Sequence, residues 1–448
     1  MAFTRICHKT ASVLLFSVLI NSAQALSLLD AYESALEHDP VYRSAIHENE
    51  AGQQTEAINF AGLLPNLSIT HTQSENTGTR TFSGQPSAPL NFSSQVSSLS
   101  LRQPLLNMEA VASYRQGQAD ANSSRARFSG QSQQLVVRLV EAYFETLLAQ
   151  DHLKFAQTQL DSLEELKNVN EQMLLRGEGT TTDVLETQSK HALAQARIIE
   201  AQDELDVAQL KLESITGRQF TQLHRLSDYF QVNTIHLPDF EDWRALALDR
   251  NAELVTQRHI LRSSKEEIRK SHAGHAPRVD LVASISRNKS ASFVTANQDV
   301  ELASIGVEVN LPLYAGGRVN AITSQAKANY ARAEADLDAM TDQALVELRK
   351  QYQLVISSVR RIESLELAVK SAKLLVHATK KSIQGGIRIN LDLLDAQQQL
   401  FQSQLHLAEA KYNFLLAYLR LNLTAGTLVL EDLRKIASYF IPGNSLTE

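Results

Sequence analysis

Asp392 and Asp395 stand three residues apart in a stretch patterned as helix, so both carboxylates project from one face. Such a pair either draws cations toward an axis or forms the solvated acidic start of a helix near its positive dipole end. The spacing alone leaves both readings open. Arg388 lies four residues before Asp392, just past Gly385-Gly386. A matching break in the first half carries Gly177-Glu178-Gly179, followed by Thr182 and Asp183. His272 and His275 lie either side of Gly274 and suggest a metal pair, but no third ligand stands at metal spacing, so a polar turn is expected. The chain has no phosphate-binding Gly loop with Lys, no metalloprotease helix motif and no nucleophile elbow. These residue types supply no acid, base or metal for bond chemistry, and neither a catalytic residue nor a cofactor is expected. Trp243 and the tyrosines, Tyr314 among them, read as packing or interface residues.

The elements that must position these residues follow from composition. In 448 residues there are only 17 Gly and 9 Pro, about half the usual share. So few chain breakers favour long uninterrupted elements. The net charge of −7 argues against nucleic acid, whose binders need clustered positive surface. The single cysteine excludes a disulfide framework and any Cys-rich zinc site.

Residues 1–25 join Arg5 and Lys9 to the apolar run Ala11–Ile20 and a small-residue signal, Ala23-Gln24-Ala25. This is the pattern of a secretory signal peptide. Cleavage after Ala25 removes Cys7 and leaves 41 basic against 50 acidic residues, with no cysteine to carry a lipid anchor. Nowhere else do about 18 apolar residues run together, so no transmembrane helix is expected. An exported chain that also sits in a membrane must then do so as a closed β-barrel.

The remainder is duplicated. Leu64-Pro65 and the alternating residues after it recur at Ala276-Pro277, Gln103-Pro104-Leu105-Leu106 at Leu311-Pro312-Leu313-Tyr314, and Thr182–Gln188 at Leu391–Gln397. Gly217 recurs as Gly426, and the four offsets lie between 208 and 212. We divide the chain into a first repeat at 26–238, a second at 239–430 and a tail at 431–448. Each repeat reads as a helical stretch (28–62 or 239–273), two strands and two long helices (107–175 and 182–217, or 318–384 and 391–426). Strands are expected around Val279–Ile285 and Ala303–Leu311, where apolar and polar residues alternate, and around Leu67–Thr72 and Val96–Gln103, where they alternate less well. Ser83–Pro86 and Ala296–Asp299 read as exposed loop tips.

In the long helices Leu153, Leu160, Leu163, Leu166, Val169 and Met173 form one apolar seam, and Leu367, Val369, Leu374, Leu375 and Ile383 continue one in the second half. A helix of about 68 residues is roughly 100 Å long, more than a globular domain covers, so such helices must pack as a coiled-coil bundle or tube. Four strands cannot close a barrel, whose smallest form uses eight, so the barrel has to be shared between chains. Two chains give eight strands and a filled lumen; three give twelve and room for a channel.

The whole mature length resembles the TolC family of outer-membrane efflux and secretion ducts. The resemblance is carried by Asp39-Pro40, Leu63-Leu64-Pro65, the run Leu311-Pro312-Leu313-Tyr314-Ala315-Gly316-Gly317, Gly386-Ile387-Arg388 and Asp392-Leu393-Leu394-Asp395-Ala396. It implies a mixed fold: a homotrimeric twelve-stranded transmembrane β-barrel in the outer membrane, continued by an α-helical coiled-coil tunnel through the periplasm. The opening from Leu28-Leu29-Asp30-Ala31-Tyr32 to Pro65 is most similar to the branch serving type I secretion of proteases, lipases and adhesins.

The resemblance also assigns roles. Asp392 and Asp395 match the family's constriction acids, which as rings about the three-fold axis would attract cations. Arg388 matches the residue that ties neighbouring helix pairs together, with Thr182 and Asp183 as acceptors. Ile383 stands where the family pattern has a gate tyrosine. Gly177, Gly179, Gly385 and Gly386 mark the tips where a periplasmic adaptor, itself bound to an inner-membrane ABC transporter, would dock. The expected function is export of unfolded protein through a passive duct; small-molecule efflux, or a soluble periplasmic coiled-coil adaptor, are the alternatives.

Overall fold

The computed structural model describes residues 25–442 except 228, 233–236, 291–297, 386 and 389. The leader, apart from Ala25, lies outside these residues. The first half runs α1 (Leu28–His38), α2 (Pro40–Ala61), β1 (Asn66–Arg80), β2 (Ala88–Leu106), α3 (Met108–Leu175) and α4 (Thr181–Thr216). After the two-residue β3 (Arg225–Leu226) the order repeats as α5 (Phe240–Arg250), α6 (Ala252–His272), β4 (Arg278–Ser290), β5 (Gln298–Asn310), α7 (Arg318–Gln384) and α8 (Asn390–Ala425). Residues set apart as a tail contribute α9 (Leu430–Ala437) and β6 (Phe440–Ile441), which pairs with β3. Among the described residues no helix is long and apolar enough to cross a membrane.

The helical stretches at 28–62 and 239–273 each consist of two helices that meet at a corner. Asp39 caps α2 by accepting from the Val41 amide at 2.8 Å, and Pro40 needs no donor at that position. Its other oxygen accepts from Arg138 of α3. Asn251 performs the same task before α6, accepting from the Glu253 and Leu254 amides at 3.0 Å and donating to the Thr424 carbonyl at 2.8 Å. Each corner receives the end of its repeat's last helix. Gly217 and Gly426 are left-handed (φ 65° and 70°), and a Cβ would meet His38 at 2.6 Å or the Arg250 carbonyl at 2.1 Å. Only glycine fits either junction.

The four long strands form one antiparallel sheet in the order β1-β2-β4-β5. Its register sorts side chains into rows. Leu67, Leu101, Ala283 and Ile305 align across the four strands on one face, and Ile69, Leu99, Ile285 and Ala303 follow. On the opposite face Ser68, Ser100, Ser284 and Ser304 align, hydrogen-bonded in pairs at 2.8 Å. One face is therefore apolar and the other polar. At the helical end, Arg102 of β2 donates to Asp280 of β4 at 2.7 Å and to Glu308 of β5 at 2.9 Å, tying the two repeats together. The first-half strands extend well beyond the expected 67–72 and 96–103. The outer part of β1 is polar on both faces, so alternation gave no signal there, and β2 runs on through Leu90 and Phe92; the backbone ladder continues to Arg80 and Ala88. Gln298 and Asp299, expected in a loop tip, belong to β5 and pair with Ser290 and Lys289; Ala296 and Asn297 lie outside the described residues.

The main core lies at mid-height of the helices, where α1, α3, α4, α5, α7, α8 and α9 meet. Tyr143 is fully buried there and donates to the carbonyls of Leu26 and His224 at 2.8 and 3.1 Å; burial pushes its hydroxyl pKa up. Trp243 is also buried in this core. Along α7 the inward residues are Leu348, Val355, Ile362 and Val369, each seven apart, the spacing of a coiled-coil seam. Leu367 and Leu374, assigned to a seam from the sequence, are instead 65% and 63% exposed within the chain.

The junction geometry makes a direct prediction. Gly426→Ala should destabilise the protein by on the order of 3 kcal/mol or more, from left-handed strain and overlap with Arg250. Gly306→Ala, whose Cβ meets nothing within 4 Å, should leave stability nearly unchanged. Thermal melts of the purified variants, followed by circular dichroism, compare them; equal melting temperatures would refute the packing argument.

Candidate functional site

The residues singled out from the sequence gather at the end of the bundle farthest from the sheet, where two helix-turn-helix tips lie side by side. The first tip joins α3 to α4. Gly177 turns the chain with φ 74°, and the amides of Glu178 and Gly179 both donate to the Met173 carbonyl, at 2.9 and 3.2 Å. A Cβ on Gly179 would stand 3.1 Å from that of Met173, so the turn closes tightly only with glycine. Thr180 and Asp183 then form a capping box. The Asp183 amide donates to the Thr180 hydroxyl at 3.2 Å, and the Asp183 carboxylate accepts from the Thr180 amide at 3.2 Å and hydroxyl at 2.7 Å.

The second tip joins α7 to α8. Gly385 donates to the Lys381 carbonyl at 3.1 Å and Ile387 to that of Ser382 at 2.9 Å. Gly386 lies outside the described residues. A small apolar cluster holds the two tips together: Leu163 and Leu166 of α3, Ala194 of α4 and Leu394 of α8, flanked by Leu160 and Leu391. This explains how residues 209 apart in sequence reach one place.

Asp392 and Asp395 each follow one of these leucines by one residue, about 100° further round the helix. The two carboxylates therefore sit on a face turned from the cluster; Asp392 is half-buried and Asp395 exposed. Arg388 is exposed and lines a cavity of about 450 Å³ between the tips, together with Glu178, Asp183, Glu186 and Ile383. Among the described residues Arg388 has no hydrogen bond or ion pair within its own chain, while three carboxylates border the same cavity. Thr182, the residue before Asp183, is exposed. The chemistry available is charge and shape: one cation among acids, two further acids on the next helical turn, and an isoleucine lining the same cavity.

His272 and His275 stand at the other end of the molecule, at the foot of the sheet, their rings 6.0 Å apart. His275 bonds Asn320 at 3.1 Å. Among the described residues no group of three or more His, Cys, Asp or Glu could hold a metal ion. Sequence reasoning missed the leucine cluster that seats the tips, although Leu160, Leu163 and Leu166 were legible as a seam. It gave them no partner on α8.

A membrane-type sheet with one apolar face, set on four helices of 36 to 68 residues, defines an outer-membrane channel with a helical extension. The chain belongs to the outer membrane efflux protein family, the TolC family, whose model matches residues 31–218 and 243–427. It is 41% identical to the alkaline protease secretion protein AprF of Pseudomonas aeruginosa, over 96% of this chain and 90% of that protein. It is 38% identical to the proteases secretion protein PrtF of Dickeya chrysanthemi, over 94% and 92%. Among solved structures, the Campylobacter jejuni CmeC outer membrane channel superposes with a TM-score of 0.76 at 14% identity, over 98% of each chain. The protein is located in the outer membrane, with its long helices extending into the periplasm.

The capping box gives the site's own test. Asp183→Ala should loosen the first tip by about 1 kcal/mol, seen as roughly fivefold faster amide exchange over Gly179–Asp183. Hydrogen exchange followed by mass spectrometry measures it, with the mid-height core as internal control. Unchanged exchange at the tip would mean that the box does not hold it.

Proposed function

We propose that the protein is the outer-membrane duct of a type I secretion system, carrying unfolded protein from an inner-membrane ABC transporter and a periplasmic adaptor to the outside. Similarity to two protease secretion proteins along nearly the whole of both chains carries this reading. Small-molecule efflux is the second reading, favoured by the family's own description. The duct performs no bond chemistry; it works by pore geometry and gating.

The assembly we propose is a homotrimer. Two sheet edges, β1 and β5, have no partner strand among the described residues, and three copies joined edge to edge close twelve strands. Apolar side chains exposed on the long helices point the same way. Val346, Leu367 and Leu374 of α7 are 63–69% exposed, as are Leu193, Val207 and Leu210 of α4 at 60–66%, and neighbouring chains would cover them. The two family matches support the proposed repeats at 26–238 and 239–430. Gly177, Gly179, Gly385 and Gly386 form the tips where the adaptor would dock.

In the same assembly Asp392 and Asp395 become two rings of three carboxylates, and Arg388 reaches acceptors at Thr182 and Asp183 on adjoining helices. Ile383 cannot supply the hydroxyl of a gate tyrosine, so the closed state rests on Arg388.

Two experiments test this reading. Deleting the gene should abolish extracellular protease, lipase or adhesin while leaving sensitivity to dyes and antibiotics unchanged; the reverse pattern assigns the duct to efflux. In planar bilayers, Arg388→Ser should raise single-channel conductance, because a charge-assisted hydrogen bond of about 1.5–3 kcal/mol is lost three times over. Asp392→Ala with Asp395→Ala should instead weaken block by a trivalent cation added on the periplasmic side. Undiminished block would show that these carboxylates do not line the axis.

A further inference from the structure

A second cavity, at the foot of the sheet, takes no part in the gate. It encloses about 530 Å³ centred on α6, with α3 and α7 as its flanks, so one chain supplies it whole. Three cations line it: Arg115 of α3, Arg269 of α6 and Lys327 of α7. Arg269 donates to Glu266, but Arg115 and Lys327 make no ion pair among the described residues. Its apolar wall is formed by Met108, Val111 and Ile268.

Two of the lining residues carry a buried polar atom without a protein partner. Glu266 is 5% exposed; Oε1 accepts from Arg269, while Oε2 is buried and meets no donor. Thr323, 9% exposed, likewise has a buried hydroxyl with no hydrogen-bond partner. A buried carboxylate oxygen left unpaired is costly, which calls for a donor from outside the chain. The donor set thus asks three things of a ligand. It needs an anionic group for Arg115 and Lys327, an ammonium or similar donor for Glu266, and an apolar portion for the wall.

Position narrows the ligand further. Leu106, the last residue of β2, pairs with Val279 on the apolar face of the sheet, and Met108 of the cavity wall follows two residues later. The cavity therefore lies where the membrane-embedded strands give way to the periplasmic helices, at the level of the lipid headgroups, where basic side chains meet phosphate. We propose that it binds the headgroup of a zwitterionic aminophospholipid from the periplasmic leaflet. The phosphate would rest on Arg115 and Lys327, the ammonium on Glu266 Oε2 and an acyl chain along Met108 and Val111. The inference rests on the outer-membrane location and not on the secretion reading.

The test uses the full mature channel in detergent and native mass spectrometry, with phosphatidylethanolamine, phosphatidylglycerol and water-soluble phosphoethanolamine as probes. The wild type should retain phosphatidylethanolamine in preference to phosphatidylglycerol. Lys327→Gln and Arg115→Gln, both at exposed side chains, should each lower retention roughly tenfold, as expected for loss of a charge-assisted hydrogen bond. Glu266→Gln, equal in size and so compatible with folding, should erase the preference between the two lipids while leaving phosphatidylglycerol bound. Undiminished retention in the Arg115→Gln, Lys327→Gln double variant would overturn the site. An unchanged lipid preference in Glu266→Gln would overturn the ammonium assignment. Displacement of the lipid by an equal concentration of phosphoethanolamine would show that a soluble aminophosphate, not a membrane lipid, is the ligand.

Discussion

A strand edge carries a row of N–H and C=O groups that hydrocarbon cannot satisfy, and this constraint governs the whole architecture. The sheet here is built for lipid on one face, with rows such as Leu67, Leu101, Ala283 and Ile305, and for water on the other, with its row of serines. Yet it is only four strands wide. Closure by further copies is what makes such a sheet compatible with a membrane. Once the strands are arranged in a ring, the helices leaving their ends are arranged in a ring as well. In the trimer we propose, the tunnel would continue the barrel, with a radius set by the same count of elements.

Duplication lets one solution serve twice. Asp39 and Asn251 cap equivalent helices at equivalent corners, one bonded to Arg138 and the other to the Thr424 carbonyl. Gly217 and Gly426 bring the end of each repeat against its own corner at distances no side chain tolerates. The two halves are then locked to each other at three levels. Arg102, Asp280 and Glu308 join them within the sheet, a shared core at mid-height, and the Leu163–Leu166–Leu394 cluster at the tips.

The site at the tips has the character expected of a passage rather than a catalyst. Its groups differ in charge and in exposure, not in reactivity. Arg388 borders a cavity with three carboxylates but bonds none of them within its chain, so its attraction remains available across helices. Ile383, at the same cavity, offers bulk without a hydrogen bond.

Much of this was legible in the residues themselves. Scarce glycine and proline marked the long helices to within one or two residues, because a helix ends where its backbone bonds are interrupted. The recurrence of Gly217 as Gly426 and of Thr182–Gln188 as Leu391–Gln397 set the duplication, and alternation found the apolar halves of all four strands. The polar outer part of β1 was invisible, since a hydrogen-bonded ladder needs no alternating pattern when both faces meet water. The split between seams was invisible for a related reason. Leu367 and Val369 have the same chemistry, but only the packed chain shows that Val369 turns inward and Leu367 outward. Likewise, spacing placed Asp392 and Asp395 on one helical face, and the packing of Leu391 and Leu394 decided where that face points. Local periodicity is a property of the chain, whereas direction is a property of what the chain packs against.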